Sequence, residues 1–340
     1  MRLSVLDQSP VSEGSTGPQA LANSVDLARL AEELGYVRYW VAEHHATSML
    51  ASPAPEVLIA AIGAATTEIR VGSGGVMLPH YSPLKVAEVF SMLAGLFGDR
   101  VDLGIGRAPG TDPQTMFALQ RDRRQRSPDD FPEQLAELLA YLDDDFPDAH
   151  PFARLAALPG LPARPAPWLL GSSPQSAIWA AELGLPYSFA DFINPAGAEI
   201  AQLYRAQFRP TPRASALHDA MPYVAVAVSV ICAETDDEAE RIASSGRMAF
   251  VQLRRGRPGR IPSPESALAF LAEEPDAFHA TGRRTVVGSP ETVRAGLEAV
   301  AAEYGADEVT IVTIAYDHAA RRRSYELVAA AFSDQPRGST

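Results

Sequence analysis

Val101-Asp102-Leu103-Gly104-Ile105-Gly106-Arg107 opens as an apolar run of strand type and closes on an arginine. Two earlier stretches share that design. Arg38-Tyr39-Trp40-Val41-Ala42-Glu43-His44-His45 ends on paired histidines, and Val71-Gly72-Ser73-Gly74-Gly75-Val76-Met77-Leu78-Pro79 carries a glycine pair. Each precedes a helical stretch. In a chain that alternates strand and helix, the carboxyl ends of the strands gather on one face, where ligands bind. These three endings therefore predict one rim carrying imidazole, bare backbone and guanidinium, suited to an anionic, planar cofactor.

Outward from these stretches the alternation continues. Arg2–Leu6 reads as a strand. Leu27, Leu30, Ala31 and Leu34 then recur at helical spacing, with Asp26, Arg29, Glu32 and Glu33 on the other face and Gly35 at the end. Further strands are expected at Arg38–Ala42, Ile69–Gly72, Val101–Ile105, Trp168–Gly171, Pro186–Phe189, Tyr223–Ile231 and Glu308–Ile314. Helices are expected at Pro55–Ala65, around Val86–Leu93, and at Phe131–Leu142, Pro174–Leu183, Gly197–Gln207 and Ala319–Phe332. Eight strands, most followed by a helix, predict an α/β fold of the (β/α)8 TIM-barrel type. Irregular stretches near 109–166 and 246–288 read as insertions beside the site. Residues 1–332 read as a single barrel domain, and 333–340 as a mobile tail. An open doubly wound sheet would want Gly-x-Gly-x-x-Gly after its first strand, and none stands there.

Composition narrows the partners. The formal charge of −13 argues against nucleic acid and anionic membrane surfaces, which call for a basic footprint. Cys232 is the only cysteine, which leaves no intramolecular disulfide and no thiolate zinc site. No apolar run approaches the ~18–20 residues of a membrane span. The amino terminus reads as a strand and not as a signal peptide. A cytoplasmic protein is expected.

Four elements offer chemistry. At the end of a strand His44 suits acid–base work, or it is an ordinary residue satisfied by backbone carbonyls. Side-chain alternation lets only one of His44 and His45 face the rim. No other histidine or carboxylate cluster accompanies them, so no metal site is expected. Gly74-Gly75 admits a flat ligand against the main chain, or marks a bulge or turn. Arg107 suits a phosphate, or pairs with a neighbouring carboxylate. Ser172, Ser173 and Ser176, with Pro174 at the first helical position, make a phosphate seat, or Ser173 is only a helix cap.

The run Tyr39–Arg107 closely resembles the bacterial luciferase-like flavin monooxygenases. Their second strand ends in Glu-His-His, their third carries Gly-(Thr/Ser)-small-small-Val-(Val/Met)-Leu-Pro, and their fourth ends in Gly-Ile-x-Arg. The likeness continues through Ser172–Leu185, with Trp179-Ala180-Ala181 and Gly184-Leu185-Pro186. It is looser after Phe189. The resemblance implies an FMN enzyme in a (β/α)8 barrel, with His44 as the catalytic histidine and Glu43 among the cofactor-binding residues. It implies a non-prolyl cis peptide at Gly74-Gly75 against the flavin ring. Arg107, Ser172, Ser173 and Ser176 would take the phosphate, with Arg121 closing over it. Light-emitting members place a cysteine before the arginine. Gly106 stands there, which argues against light output and predicts extra space beside the ring.

The expected activity is a two-component monooxygenase. Reduced FMN would come from a separate NAD(P)H-dependent flavin reductase, a transient partner, and O2 would oxygenate a small organic substrate, as in secondary metabolism. A homodimer is expected, because relatives pair through barrel helices. Three alternatives stand beside this reading: a deazaflavin-dependent oxidoreductase, a non-catalytic flavin-binding barrel and, third, a lyase or isomerase barrel holding a phosphorylated substrate at Arg107.

Overall fold

A computed structural model describes residues 1–107, 112–120, 123–124, 129–155, 164–212 and 220–333. Arg121 and residues 334–340 lie outside them.

The strands are β1 Arg2–Asp7, β2 Arg38–Val41, β3 Arg70–Met77, β4 Val101–Gly106, β5 Ala166–Gly171, β6 Tyr187–Ala190, β7 Val224–Cys232, β8 Val286–Gly288 and β9 Glu308–Val312. Eight of them close a parallel barrel in the order β1-β2-β3-β4-β5-β6-β7-β9, with β9 returning to β1. The (β/α)8 expectation is borne out. The short β8 pairs only with the end of β7, at Val230–Cys232, and stays off the barrel.

Among the described residues the helices are α1 Gly17–Glu33, α2 Pro55–Ala65, α3 Pro83–Phe97, α4 Pro113–Leu119, α5 Phe131–Asp143, α6 Pro174–Glu182, α7 Ala198–Gln207, α8 Asp236–Arg254, α9 Pro264–Glu273, α10 Pro290–Tyr304 and α11 His318–Phe332. The stretch 246–288 is therefore not irregular. It holds the end of α8, all of α9 and β8. None of these helices is long and apolar enough to cross a membrane.

The strands are largely apolar on both faces because both faces are covered. Outward-facing Val5, Val71, Leu103 and Val226 pack against the helices in one large apolar layer. Inward-facing Leu6, Trp40, Trp168, Ala225 and Val312 fill the barrel itself. Toward the amino-terminal end this filling turns ionic. Buried Arg38 donates to Asp102 and Glu308, each at 2.7 Å, and its guanidinium lies 4.5 Å from the Trp168 ring centroid. A wide concavity of about 1170 Å³ opens at that end, but Arg38, Arg70 and Asp102 on its wall are paired with one another or with Glu308. The strand endings singled out by the sequence lie at the other end.

Candidate active site

Two adjoining cavities open at the carboxyl ends of the strands. The first, about 490 Å³, is lined by Gly74 and Gly75 from β3, Gly106 and Arg107 at the end of β4, and Ser172, Ser173 and Ser176 after β5. The second, about 470 Å³, is lined by His44 and His45. Phe192 and Ile193, which follow β6, belong to both walls. Each volume falls in the usual range for small-molecule sites.

The glycine pair lies within β3 and not after it, since the strand runs on to Met77. The register against β4 shifts between Gly74 and Val76, so Gly75 is the extra residue of a bulge. The Gly74–Gly75 peptide is cis. A β-carbon at 75 would come within 2.6 Å of the Gly104 carbonyl oxygen, so the close approach of two backbones demands glycine there. The result is a wall of bare main chain facing the first cavity.

Arg107 reaches the same cavity, but its guanidinium is engaged. It donates to Asp129 at 2.6 Å and lies 5.6 Å from the Trp179 ring centroid. Both partners of that ion pair are exposed, so a competing anion displaces it at small cost. Across the cavity, Ser173 occupies the cap position of α6, yet its side chain accepts no hydrogen bond from the first turn. That leaves the amides at the head of the helix to an anion. Ser176 is more committed: its hydroxyl donates to the Ser173 carbonyl at 2.7 Å and lies 3.0 Å from the Tyr187 hydroxyl.

His44 follows β2 in an irregular segment. Because the strand stops at Val41, side-chain alternation no longer applies, and both histidines face the second cavity. The expectation that only one would do so is corrected. The Nδ1 atom of His44 is buried and has no hydrogen-bond partner. Burial, and secondarily the neighbouring His45, push its pKa down to about 4. In the free protein His44 is thus a neutral imidazole at neutral pH, with one ring nitrogen carrying a proton and the other open as an acceptor.

Glu43 lines neither cavity. It is fully buried, and its carboxylate accepts from His45 Nε2 at 2.7 Å and from the Met77 backbone amide at 3.0 Å. It therefore ties the histidine segment to the end of β3. The expected lack of a further cluster also fails: His80 joins Glu43 and His45, with potential ligand atoms all within 4.8 Å of one another. Glu43 already spends one oxygen on each of two N–H groups there.

The predicted space beside Gly106 is taken. A β-carbon at that position would meet the Met77 methyl at 2.9 Å. Sequence reasoning also missed the apolar walls, namely Trp40, Phe131 and Trp179 in the first cavity and Met49, Leu50 and Phe250 in the second. Their residue types match those of the core, so only the fold sets them apart.

A closed parallel barrel with this rim defines a class, and comparison with known proteins agrees. The luciferase-like monooxygenase family profile matches residues 1–308. The solved structure of apo-MsnO8 is similar at TM-score 0.89 and 45% identity, over 99% of each chain. A luciferase-like monooxygenase of Escherichia coli strain K12 is 41% identical over 95% of each chain. The N-acetyl-S-alkylcysteine monooxygenase of Bacillus subtilis strain 168 is 38% identical, covering 96% of this chain and 97% of its own. The chain belongs to the luciferase-like monooxygenase family. It is an enzyme, a monooxygenase of the flavin type.

Proposed function

We propose that this enzyme is an FMN-dependent monooxygenase that uses reduced flavin and O2 to oxygenate a small organic substrate. The observation that carries the reading is the first cavity, which bare backbone at Gly74-Gly75 lines together with Arg107 and the uncapped head of α6. A flat ring fits against the former, and a phosphate between the latter two. The residues present suit FMN. When bound in reduced form, the cofactor supplies electrons to activate O2, so that one oxygen atom enters the substrate and the other leaves as water.

The chain's own residues bind, orient and exclude water. Arg107 exchanges Asp129 for the phosphate, and Ser172 and Ser173 border it. Ser176, held by Tyr187 and the Ser173 carbonyl, fixes the shape of that turn. Trp40, Phe131 and Trp179 keep the ring's surroundings dry. His44 lines the second cavity, where the substrate binds, and takes up a proton at an imidazole nitrogen. Glu43 is a positioning residue that acts through His45 and Met77.

The reduced cofactor comes from a separate NAD(P)H-dependent flavin reductase that binds transiently, and the enzyme works in the cytoplasm. Residues 1–332 form one domain. Val57 on α2 with Met92 and Leu96 on α3 are large apolar side chains left more than half exposed, which supports pairing of two copies through these helices.

The test is a titration of the purified protein with FMN and with a deazaflavin. It is followed by mass spectrometry of candidate substrates turned over with NAD(P)H, a generic flavin reductase and isotopically heavy O2. One heavy atom per product is expected, with FMN alone supporting it. Turnover with the deazaflavin and no label in the product would replace oxygenation with hydride transfer.

A further inference from the structure

We propose that Arg283 anchors a carboxylate of the substrate, so that this enzyme acts on organic acids with an apolar body. The inference rests on the oxygenase reading, in which the cavity beside His44 belongs to the substrate.

Arg283 lines that cavity. Among the described residues its guanidinium makes no hydrogen bond and no ion pair, and its Nε is buried without a partner. Its neighbour in sequence shows the ordinary arrangement, since Arg284 is held by Asp191 and Glu303. Buried cations are normally paired, because desolvation otherwise works against them. Burial alone pushes the Arg283 pKa down to about 10, which still leaves it charged at neutral pH.

What holds Arg283 is aromatic. Its guanidinium carbon lies 4.3 Å from the Phe250 ring centroid and 5.7 Å from that of Phe192. Ring faces support the plane of the group and use none of its N–H bonds. The planar fork is left for a bidentate acceptor, which a carboxylate matches.

The rest of the cavity suits the body of such a molecule. Met49, Leu50, Ile193, Leu253 and Ile314 provide apolar wall. Among the charged groups lining it, Asp112 spends its carboxylate on the backbone amides of Gln114 and Thr115, capping α4. Arg254 sits exposed in the last turn of α8. His44 is neutral at neutral pH, and His45 is bonded to Glu43. In a chain of charge −13 this cavity is locally cationic. Arg283 does not line the glycine and serine cavity, so the FMN phosphate is not its partner.

Octanoate and octanamide differ by one charge at nearly constant shape, and calorimetric titration of the intact protein with each tests the proposal. Octanoate should bind about tenfold or more tightly than octanamide, as for a charged hydrogen-bond partner. Arg283→Gln should abolish that preference, and Arg283→Lys should keep part of it. Inorganic phosphate at matched ionic strength should leave octanoate bound. Equal binding of the two probes to the wild-type protein, or an unchanged preference in Arg283→Gln, overturns the proposal whether or not other variants fold. Displacement by phosphate also overturns it, in favour of a simple anion hole. FMN titrated into the same samples separates the two readings. If FMN does not bind but octanoate binding depends on Arg283, the oxygenase reading fails and the anchor stands; the converse removes the anchor alone.

Discussion

The Met77 thioether occupies the space that Gly106 leaves open, 2.9 Å from where a β-carbon would stand. A side chain at 106 and the present rotamer of Met77 exclude each other. Because the obstacle is the far end of a flexible side chain, Gly106→Ala should fold and cost about 1 kcal/mol. The cost should shrink in the Met77→Ala background, and a double-mutant cycle of denaturant midpoints measures that coupling. Additive losses would show that Met77 does not guard the position.

At Gly75 the obstacle is backbone. The β-carbon of Gly75→Ala would meet the Gly104 carbonyl oxygen at 2.6 Å and its carbon at 2.9 Å, and neither can rotate away. The bulge must shift, at about 1–3 kcal/mol for an overpacked site. The wall facing the first cavity shifts with it. FMN titration should show weaker binding in Gly75→Ala than in Gly106→Ala; the reverse order would remove the glycine pair from the cofactor wall.

The contrast between these two glycines shows where sequence reading stops. The barrel strands were legible because most carry a short apolar run, as in Val224–Cys232, and α2 was bounded to the residue at Pro55–Ala65. The helices α8, α9 and α10 were not read. Their starts carry ordinary signals: Thr235 caps Asp236, Asp237 and Glu238, and Ser289 precedes Pro290. An irregular stretch was expected from Gly246, which lies in the middle of α8 within Ser244-Ser245-Gly246-Arg247. Within α8 this stretch packs close to Ile314, with a β-carbon at 246 falling 3.1 Å from the Ile314 carbonyl oxygen. For the site, strand-end position led to Arg107, the glycines and His44. Nothing in the sequence tells Met77 from any core methionine, or brings His80 to Glu43 and His45. Those relations exist only after the strands close.

Arg107 tests the phosphate site from both sides. Arg107→Ala should weaken FMN binding by about 1.5–3 kcal/mol, the loss of a charged hydrogen-bond partner. Asp129→Asn should act in the opposite direction. It removes the carboxylate that holds the guanidinium at 2.6 Å, an exposed pair worth about 0.2–1 kcal/mol. Fluorescence quenching of FMN should therefore report affinity tightened by up to about fivefold, with less effect at high salt. Weaker binding in Asp129→Asn would mean that Asp129 orients Arg107 for the phosphate and does not compete with it.

His44 sets a pH dependence whose sign follows from its burial. Its pKa falls from the ordinary 6.5 to about 4 in the folded chain. Above pH 6.5 the imidazole is neutral in both states and makes no difference. Between about 6.5 and 4 the unfolded chain binds the proton and the folded chain does not, so stability is lost progressively as pH falls. Below about 4 both are protonated and the loss is complete. The shift corresponds to at most about 3 kcal/mol at 1.36 kcal/mol per pH unit. Urea unfolding of wild type and His44→Asn from pH 8 to 4 isolates this part, since every other titrating group is shared. Wild type should lose more stability across that window, and nuclear magnetic resonance should find the His44 ring neutral at pH 5.5. Parallel curves, or a ring already protonated there, would show that the imidazole is solvated, and would return His44 to an ordinary acid–base group that can donate as well as accept.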